Sequence, residues 1–359
     1  MKKYSGMELI RELSLAFGPS GCEDAVRDLI TEQILGACDA YTVDKAGNLI
    51  ARIRGRGLDY NPDSPRRLML AAHMDEVGFM ITDITEEGYL RFGTVGGIDS
   101  RVLPGRHVVV GEKARVAGVI ASKAIHLQTA DERKKLVPLS QMYIDIGAKD
   151  RADAEKLVSI GDYATFESDF VTFGKDGNRM KGKALDDRAG CAALIEIMRD
   201  LRKNPCDMPF DVYFAFTRCE EVGISGASVA AFAIEPDLAM ILESTAIHDL
   251  PDVAANARVG RLGAGGALSL ADRATIYDQN FIAYARRTAE QAEIACQVKE
   301  SVSGGNDAAH IQRSLDGVRV LALSLPTRYI HSASCVADYR DYESMLALTK
   351  AMVRDWKLD

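Results

Sequence analysis

The segment FAFTRCEEVG, residues 214–223, runs an apolar stretch straight into two adjacent carboxylates, Glu220 and Glu221. Like charges side by side repel, so the pair needs either solvent, as at an ordinary loop tip, or a cation. Four other places share the setting of polar residues at or just past an apolar run, or in a loop beside one. They are His73 and Asp75 in AAHMDEVG, Asp186 and Asp187 in KALDDRAG, Glu243 in MILESTAIHDLPD and His331 in LPTRYIHSAS. Open α/β sheets collect ligands at the carboxyl ends of their strands. Imidazoles and carboxylates are the ligands that zinc, cobalt or manganese take in hydrolytic enzymes. Two histidines and several acids exceed the needs of one metal and fit a two-metal centre better. Each residue also has a structural alternative when taken alone. His73 could be a hydrogen-bonded core histidine, and DDR a helix N-cap with Arg188 folded back on it. Glu243 could be a turn charge and His331 a loop residue. No HExxH motif is present.

Elements able to position these residues are legible. RRLMLAAHMD (66–75), DVYFAFT (211–217), DLAMILES (237–244) and VRVLALSLP (318–326) read as strands buried on both faces. Helical patterns lie at 189–203, 280–292 and 341–356. Near the start, Leu9, Ile10, Leu13 and Phe17 fall at helical spacing, which predicts an amphipathic first helix rather than a signal peptide. This alternation predicts an α/β fold, a mixed sheet flanked by helices. From 77 to 171 the texture changes to short Val/Ile/Gly segments with frequent turn signals, broken by one helical stretch, RADAEKLV (151–158). Such texture predicts a β-rich, barrel-like insertion, so that 1–76 and 172–359 form one discontinuous domain.

Composition narrows the partners. Among 359 residues the net charge is −8, 47% are hydrophobic and 27% charged, and no Lys/Arg stripe points to nucleic acid or a membrane surface. No apolar run is long enough to span a bilayer. Seven scattered cysteines, none in CxxC, argue against a disulfide framework or zinc knuckle and for a reducing cytoplasm.

AAHMDEVGFMIT, ALDDRAGCAAL, EEVGISGA and PTRYIHS resemble the signature segments of the tetrahedral, or glutamyl, aminopeptidase family. These are dinuclear metallopeptidases, some of which carry a cellulase label. Weaker likenesses, among them GPSGCEDAVRDLI, DKAGNLIARIRG and GGNDAAHIQRS, extend it over the chain in the same order. The resemblance implies a zinc-peptidase α/β domain interrupted by a β-rich dimerisation domain. It also implies two divalent metal ions per subunit, zinc or cobalt with manganese as a further candidate. His73 and Glu243 would hold one metal and Glu221 and His331 the other, with Asp186 bridging both. Asp75 would orient the His73 imidazole, and Glu220 would be the general base. Adjacency then has a purpose, because successive side chains leaving a strand diverge. The implied reaction is removal of N-terminal residues from short peptides by metal-activated water. Dimers building a tetrahedral dodecamer are implied as well.

The alternatives are a deacylase of blocked amino acids, a glycosidase and a catalytically inert assembly protein. Glu243 stands where many relatives carry Asp, and His248 and Asp249 are rival ligands. Cys219 replaces a usual Gln, as a packed thiol, a soft ligand or an oxidation-sensitive gate. GRLGAGG (260–266) and SGGND (303–307) look like phosphate loops but lack the residues that would complete one. They read as turns where backbone passes close to something.

Overall fold

The computed structural model describes residues 2–251, 253–254 and 257–358. The apolar runs become the middle of one large sheet. Its strands are β1 (Ala40–Val43), β2 (Leu49–Ile53) and β3 (Arg66–His73), then, beyond an inserted barrel, β10 (Val171–Phe173) to β17 (Cys335–Asp338). Between those last two come β11 (Arg179–Gly182), β12 (Phe210–Thr217), β13 (Leu238–Ala246), β14 (Gly266–Leu268), β15 (Cys296–Val298) and β16 (Arg319–Arg328). Spatial order is β1-β2-β12-β3-β13-β16-β17-β11-β10, with β14 pairing β16 and β15 pairing β14.

The middle four strands, β12, β3, β13 and β16, run parallel. Parallel strands need cover on both faces. Helices α1 (Gly6–Leu15), α2 (Asp24–Ile34), α4 (Leu185–Lys203), α5 (Ser225–Ile234), α6 (Gln279–Gln291), α7 (Ala308–Ile311) and α8 (Tyr339–Arg354) supply it. Leu9, Ile10 and Leu13 of α1 are fully buried, as their spacing predicts. None of the described helices is long and apolar enough to cross a membrane.

Register is what gathers the site. His73, the last residue of β3, pairs with Thr217, the last of β12. Ala71 pairs with Ile241 on β13, so His73 and Glu243 lie two residues further along neighbouring strands. The Glu220–Glu221 pair follows β12 and His331 follows β16. Four sequence-distant segments thus end at one edge of the sheet, where parallel strands all present their carboxyl ends.

Strands β4 (Gly78–Ile84), β5 (Leu90–Val95), β6 (His107–Val110), β7 (Val116–Ala121), β8 (Tyr143–Asp145) and β9 (Tyr163–Phe166) close into an antiparallel barrel. Its core is separate from that of the large sheet and centres on Phe79, whose ring meets Phe92 and Phe166 edge-on at 5.3 and 5.1 Å. The helix expected over 151–158 is only one turn, α3 (Arg151–Ala154). Beyond it Val158 drops into the barrel core and Gly161 takes a left-handed φ of 93°, turning the chain back into β9.

GRLGAGG binds a carboxylate of its own chain. The amides of Gly263 and Gly265 each donate to Asp341 at the start of α8, both at 2.7 Å. Asp341→Ala leaves two largely buried N–H groups without an acceptor and is expected to cost about 1–3 kcal/mol. A lower urea midpoint with unchanged metal content would show it; an unchanged midpoint would mean that the loop does not depend on this carboxylate.

Candidate metal centre

His73 is 1% exposed, and its two ring nitrogens face different things. Nδ1 lies 3.1 Å from the carbonyl oxygen of Asp75 and 3.3 Å from that residue's carboxylate. A carbonyl only accepts, so Nδ1 carries the hydrogen and donates. Nε2 points the other way, 3.1 Å from Asp186 Oδ1 and 3.3 Å from Glu243 Oε1. His331 repeats the pattern. Its Nδ1 donates to the Gly97 carbonyl at 2.7 Å, and its Nε2 lies 3.2 Å from both Asp186 Oδ2 and Glu221 Oε1.

Each Nε2 therefore meets two carboxylate oxygens, and the two oxygens of Asp186 serve different imidazoles. Such a meeting place is built for positive charge, supplied by a proton or by a metal ion. Burial alone would lower the His73 imidazole, but the facing Glu243, Asp186 and Asp75 carboxylates hold it well above its ordinary range. The same contest, with Asp186 and Glu221 opposing burial, pushes His331 up to about 11. Burial pushes Glu243 up to about 8, and its second oxygen, Oε2, has no hydrogen-bond partner. Among the described residues three groups could hold a metal ion: His73 with Glu220 and Glu221, His73 with Asp187 and Glu243, and Asp186 with Glu221 and His331. Buried acids and imidazoles in these numbers, with an orphaned carboxylate oxygen, fit divalent cations.

Asp75 does more than face His73. Its Oδ1 accepts the Glu220 amide at 3.0 Å, and its Oδ2 accepts the Glu221 amide at 3.1 Å and the Ser20 hydroxyl at 2.5 Å. One buried carboxylate so fixes an imidazole and the backbone of both glutamates. Glu23 anchors the residues just before them, accepting the Cys219 amide at 3.2 Å and Arg218 Nε at 2.6 Å. The Cys219 thiol packs against the same carboxylate at 3.3 Å, and burial pushes it up to about 12. Cys219 belongs to none of the three groups, and neither do the rival ligands His248 and Asp249. Asp249 is engaged instead by Arg328 at 2.5 and 2.7 Å.

Asp187 has structural contacts of its own. It accepts the amides of Gly190 at 3.1 Å and His73 at 3.2 Å, capping the regular part of α4 and tying it to β3. Arg188 does not fold back on the cap but reaches the carbonyls of Met74 and Leu13, at 2.7 and 2.6 Å. Two further features involve residues that lie inside segments the sequence marks but that nothing in those segments singles out. Asp307, 1% exposed at the start of α7, accepts the Thr217 hydroxyl and leaves Oδ1 unpartnered. Lys183 is buried against Glu76 at 2.5 Å, and Glu76 also accepts Thr165 of the barrel at 2.9 Å, so one ion pair joins sheet and barrel behind the site.

From the cluster a cavity of about 460 Å³ opens between the Glu220–Glu221 turn and the SGGND loop. Comparisons with known proteins agree with this architecture. Residues 47–348 match the family model described as M42 glutamyl aminopeptidase. The TET aminopeptidase of the marine sediment archaeon Thaumarchaeota archaeon SCGC AB-539-E09 superposes with a TM-score of 0.92 at 36% identity, covering 98% of this chain and 96% of that one. A Pyrococcus horikoshii TET1 peptidase, described as assembling into a tetrahedron or a large octahedral shell, gives 0.83 at 35%, covering 97% and 98%. The lysyl aminopeptidase of Pyrococcus furiosus is 30% identical over 98% of this chain and 97% of its own length.

Proposed function

The chain belongs to the M42 glutamyl aminopeptidase family, and from that premise we propose that it is a dinuclear metal-dependent aminopeptidase releasing N-terminal residues from short peptides. The observation that carries the metal dependence is the sharing of Asp186 between two imidazoles, each of which also faces a second carboxylate. His73 and Glu243 would hold one ion, His331 and Glu221 the other, and Asp186 both. Zinc or cobalt fits this mix of nitrogen and oxygen donors, and manganese is the next candidate. Bound there, the pair would supply Lewis-acid polarisation of the scissile carbonyl and a more acidic water.

The chain's own groups do the rest. Glu220 lines the cavity beside the cluster but contacts neither Nε2, which leaves it free to take a proton from water and hand it to the departing amine. Asp75 keeps that carboxyl in place through its backbone amide and keeps His73 in the tautomer that offers Nε2 to a metal.

Residues 77–171 would act as the dimerisation unit within a catalytic domain formed by 1–76 and 172–359, and dimers would build a tetrahedral dodecamer. The assembly described for the Pyrococcus horikoshii relative supports this, as do Ile125, Leu127 and Leu136, each exposed on the excursion between β7 and β8. A cytoplasmic setting suits the seven cysteines, all of them free thiols.

Dialysis against a chelator is expected to abolish hydrolysis of aminoacyl p-nitroanilides, and zinc or cobalt to restore it. N-acetylated amino acids are expected to remain intact, which separates this reading from a deacylase. Chelator-insensitive cleavage, of a peptide or of a cellulosic substrate, would overturn it.

A further inference from the structure

The cavity that opens from the metal centre is lined by Asp186, Glu220, Glu221 and Glu243. Lys299 lines it too, the only lysine or arginine among its described lining residues. Lys299 follows β15, and its backbone is held by the Leu268 carbonyl at 2.9 Å, so the base of the side chain is fixed. Its ammonium has three donors. One goes to the Ser303 carbonyl at 2.9 Å, and among the described residues no carboxylate forms an ion pair with it.

Asp272 lines the same cavity but is already satisfied. Its Oδ1 accepts the amides of Ala274 and Thr275, both at 2.8 Å, and its Oδ2 accepts the Tyr277 hydroxyl at 2.7 Å. Burial lowers the Lys299 ammonium from its ordinary range, with Asp272 and Glu243 opposing it from a distance. A half-buried cation lacking a close counter-ion binds an anion more strongly than an exposed one does. The SGGND loop leaves the approach clear: a Cβ on Gly304 would stand 3.8 Å from the Lys299 nitrogen, and none on Gly305 would meet anything.

We infer that Lys299 is a specificity-determining residue that receives a carboxylate of the substrate peptide. This rests on the aminopeptidase reading above and deepens it, because a peptide can bring a carboxylate here from two sources. One is the side chain of an acidic N-terminal residue, and the other is the free C-terminus of a dipeptide. Lys299 is the one lysine or arginine among the described lining residues, so it sets where a substrate carboxylate can lie in this cavity.

The test uses the full-length, metal-loaded protein and Lys299→Met, which keeps the apolar stem and drops the charge. Two ratios of kcat/KM are read: Glu- over Leu-p-nitroanilide, and Leu-Gly over Leu-Gly-amide. Loss of a charged hydrogen bond is expected to lower one of them by about 10–100-fold. A fall in the anilide ratio assigns the carboxylate to the N-terminal side chain, and a fall in the dipeptide ratio assigns it to the C-terminus. Because each ratio compares two substrates on one preparation, partial unfolding cannot produce the effect. Calorimetric titration with L-glutamate and with glycine, each the product from one source, is expected to show weaker binding to the variant by one of them. If the wild type hydrolyses no anilide or dipeptide, the aminopeptidase reading fails while the titrations still test Lys299. Ratios and affinities equal in wild type and variant would overturn the proposal.

Discussion

Glu220→Gln is expected to keep the fold and the metal content and to lower kcat by roughly 10²–10⁴-fold, the range over which a positioned general base contributes. Glutamine matches glutamate in shape, so the packing around this half-buried side chain is unchanged. The amide of residue 220 still reaches Asp75 at 3.0 Å, so the turn itself remains anchored. What disappears is the ability to accept and return a proton. Among the cavity-lining carboxylates of the cluster, Asp186, Glu221 and Glu243 each face an imidazole Nε2 at 3.1–3.3 Å, and Glu220 is the one that does not. Metal analysis beside steady-state kinetics separates the outcomes. Retained metal with lost turnover fits a base. A variant that loses metal would make Glu220 a ligand, as its grouping with His73 and Glu221 permits, and equal activity would remove it from the mechanism.

That Glu220 could be singled out from sequence, whereas Asp307 and Lys299 could not, has a physical cause. Strands buried on both faces write themselves as continuous apolar runs, so β3, β12, β13 and β16 and the polar residues at their ends were visible one by one. Their convergence was not, because it depends on register between strands far apart in the chain, such as Ala71 opposite Ile241. The family likeness supplied that link. Asp75 reads in the sequence as the partner of one imidazole, yet its second task, holding the amides of Glu220 and Glu221, is a contact between residues 145 and 146 positions apart and leaves no mark in composition or spacing. The GRLGAGG loop shows the same blindness in reverse. Its anion-binding shape was legible, but its partner, Asp341, lies 76–78 residues on and could only be found in the fold. Lys299 was silent for the plainest reason: one lysine after a short edge strand looks like any solvated surface charge until the cavity is seen.

Asp186→Ala is expected to strip metal from the protein and to lower kcat/KM by about 10³-fold or more, since Lewis-acid stabilisation worth several kcal/mol goes with the metals. Asp186 Oδ1 stands 3.1 Å from His73 Nε2 and Oδ2 stands 3.2 Å from His331 Nε2, so one side chain completes both meeting places of acid and imidazole. Removing Glu243 would spoil one of them; removing Asp186 spoils both. Loss of an outer carboxylate that merely orients a ligand costs metal affinity about 10–100-fold, and loss of a shared ligand exceeds it. Asp187, its neighbour, accepts the amides of Gly190 and His73 and falls in a group with His73 and Glu243 but in none with His331, so it offers no shared replacement. Metal content measured after gel filtration is therefore expected to fall well below that of the wild type, with an unchanged elution volume showing that assembly persists. A variant that kept a full complement of metal and most of its activity would mean that the two imidazoles do not share a ligand, and the dinuclear reading would fail with it.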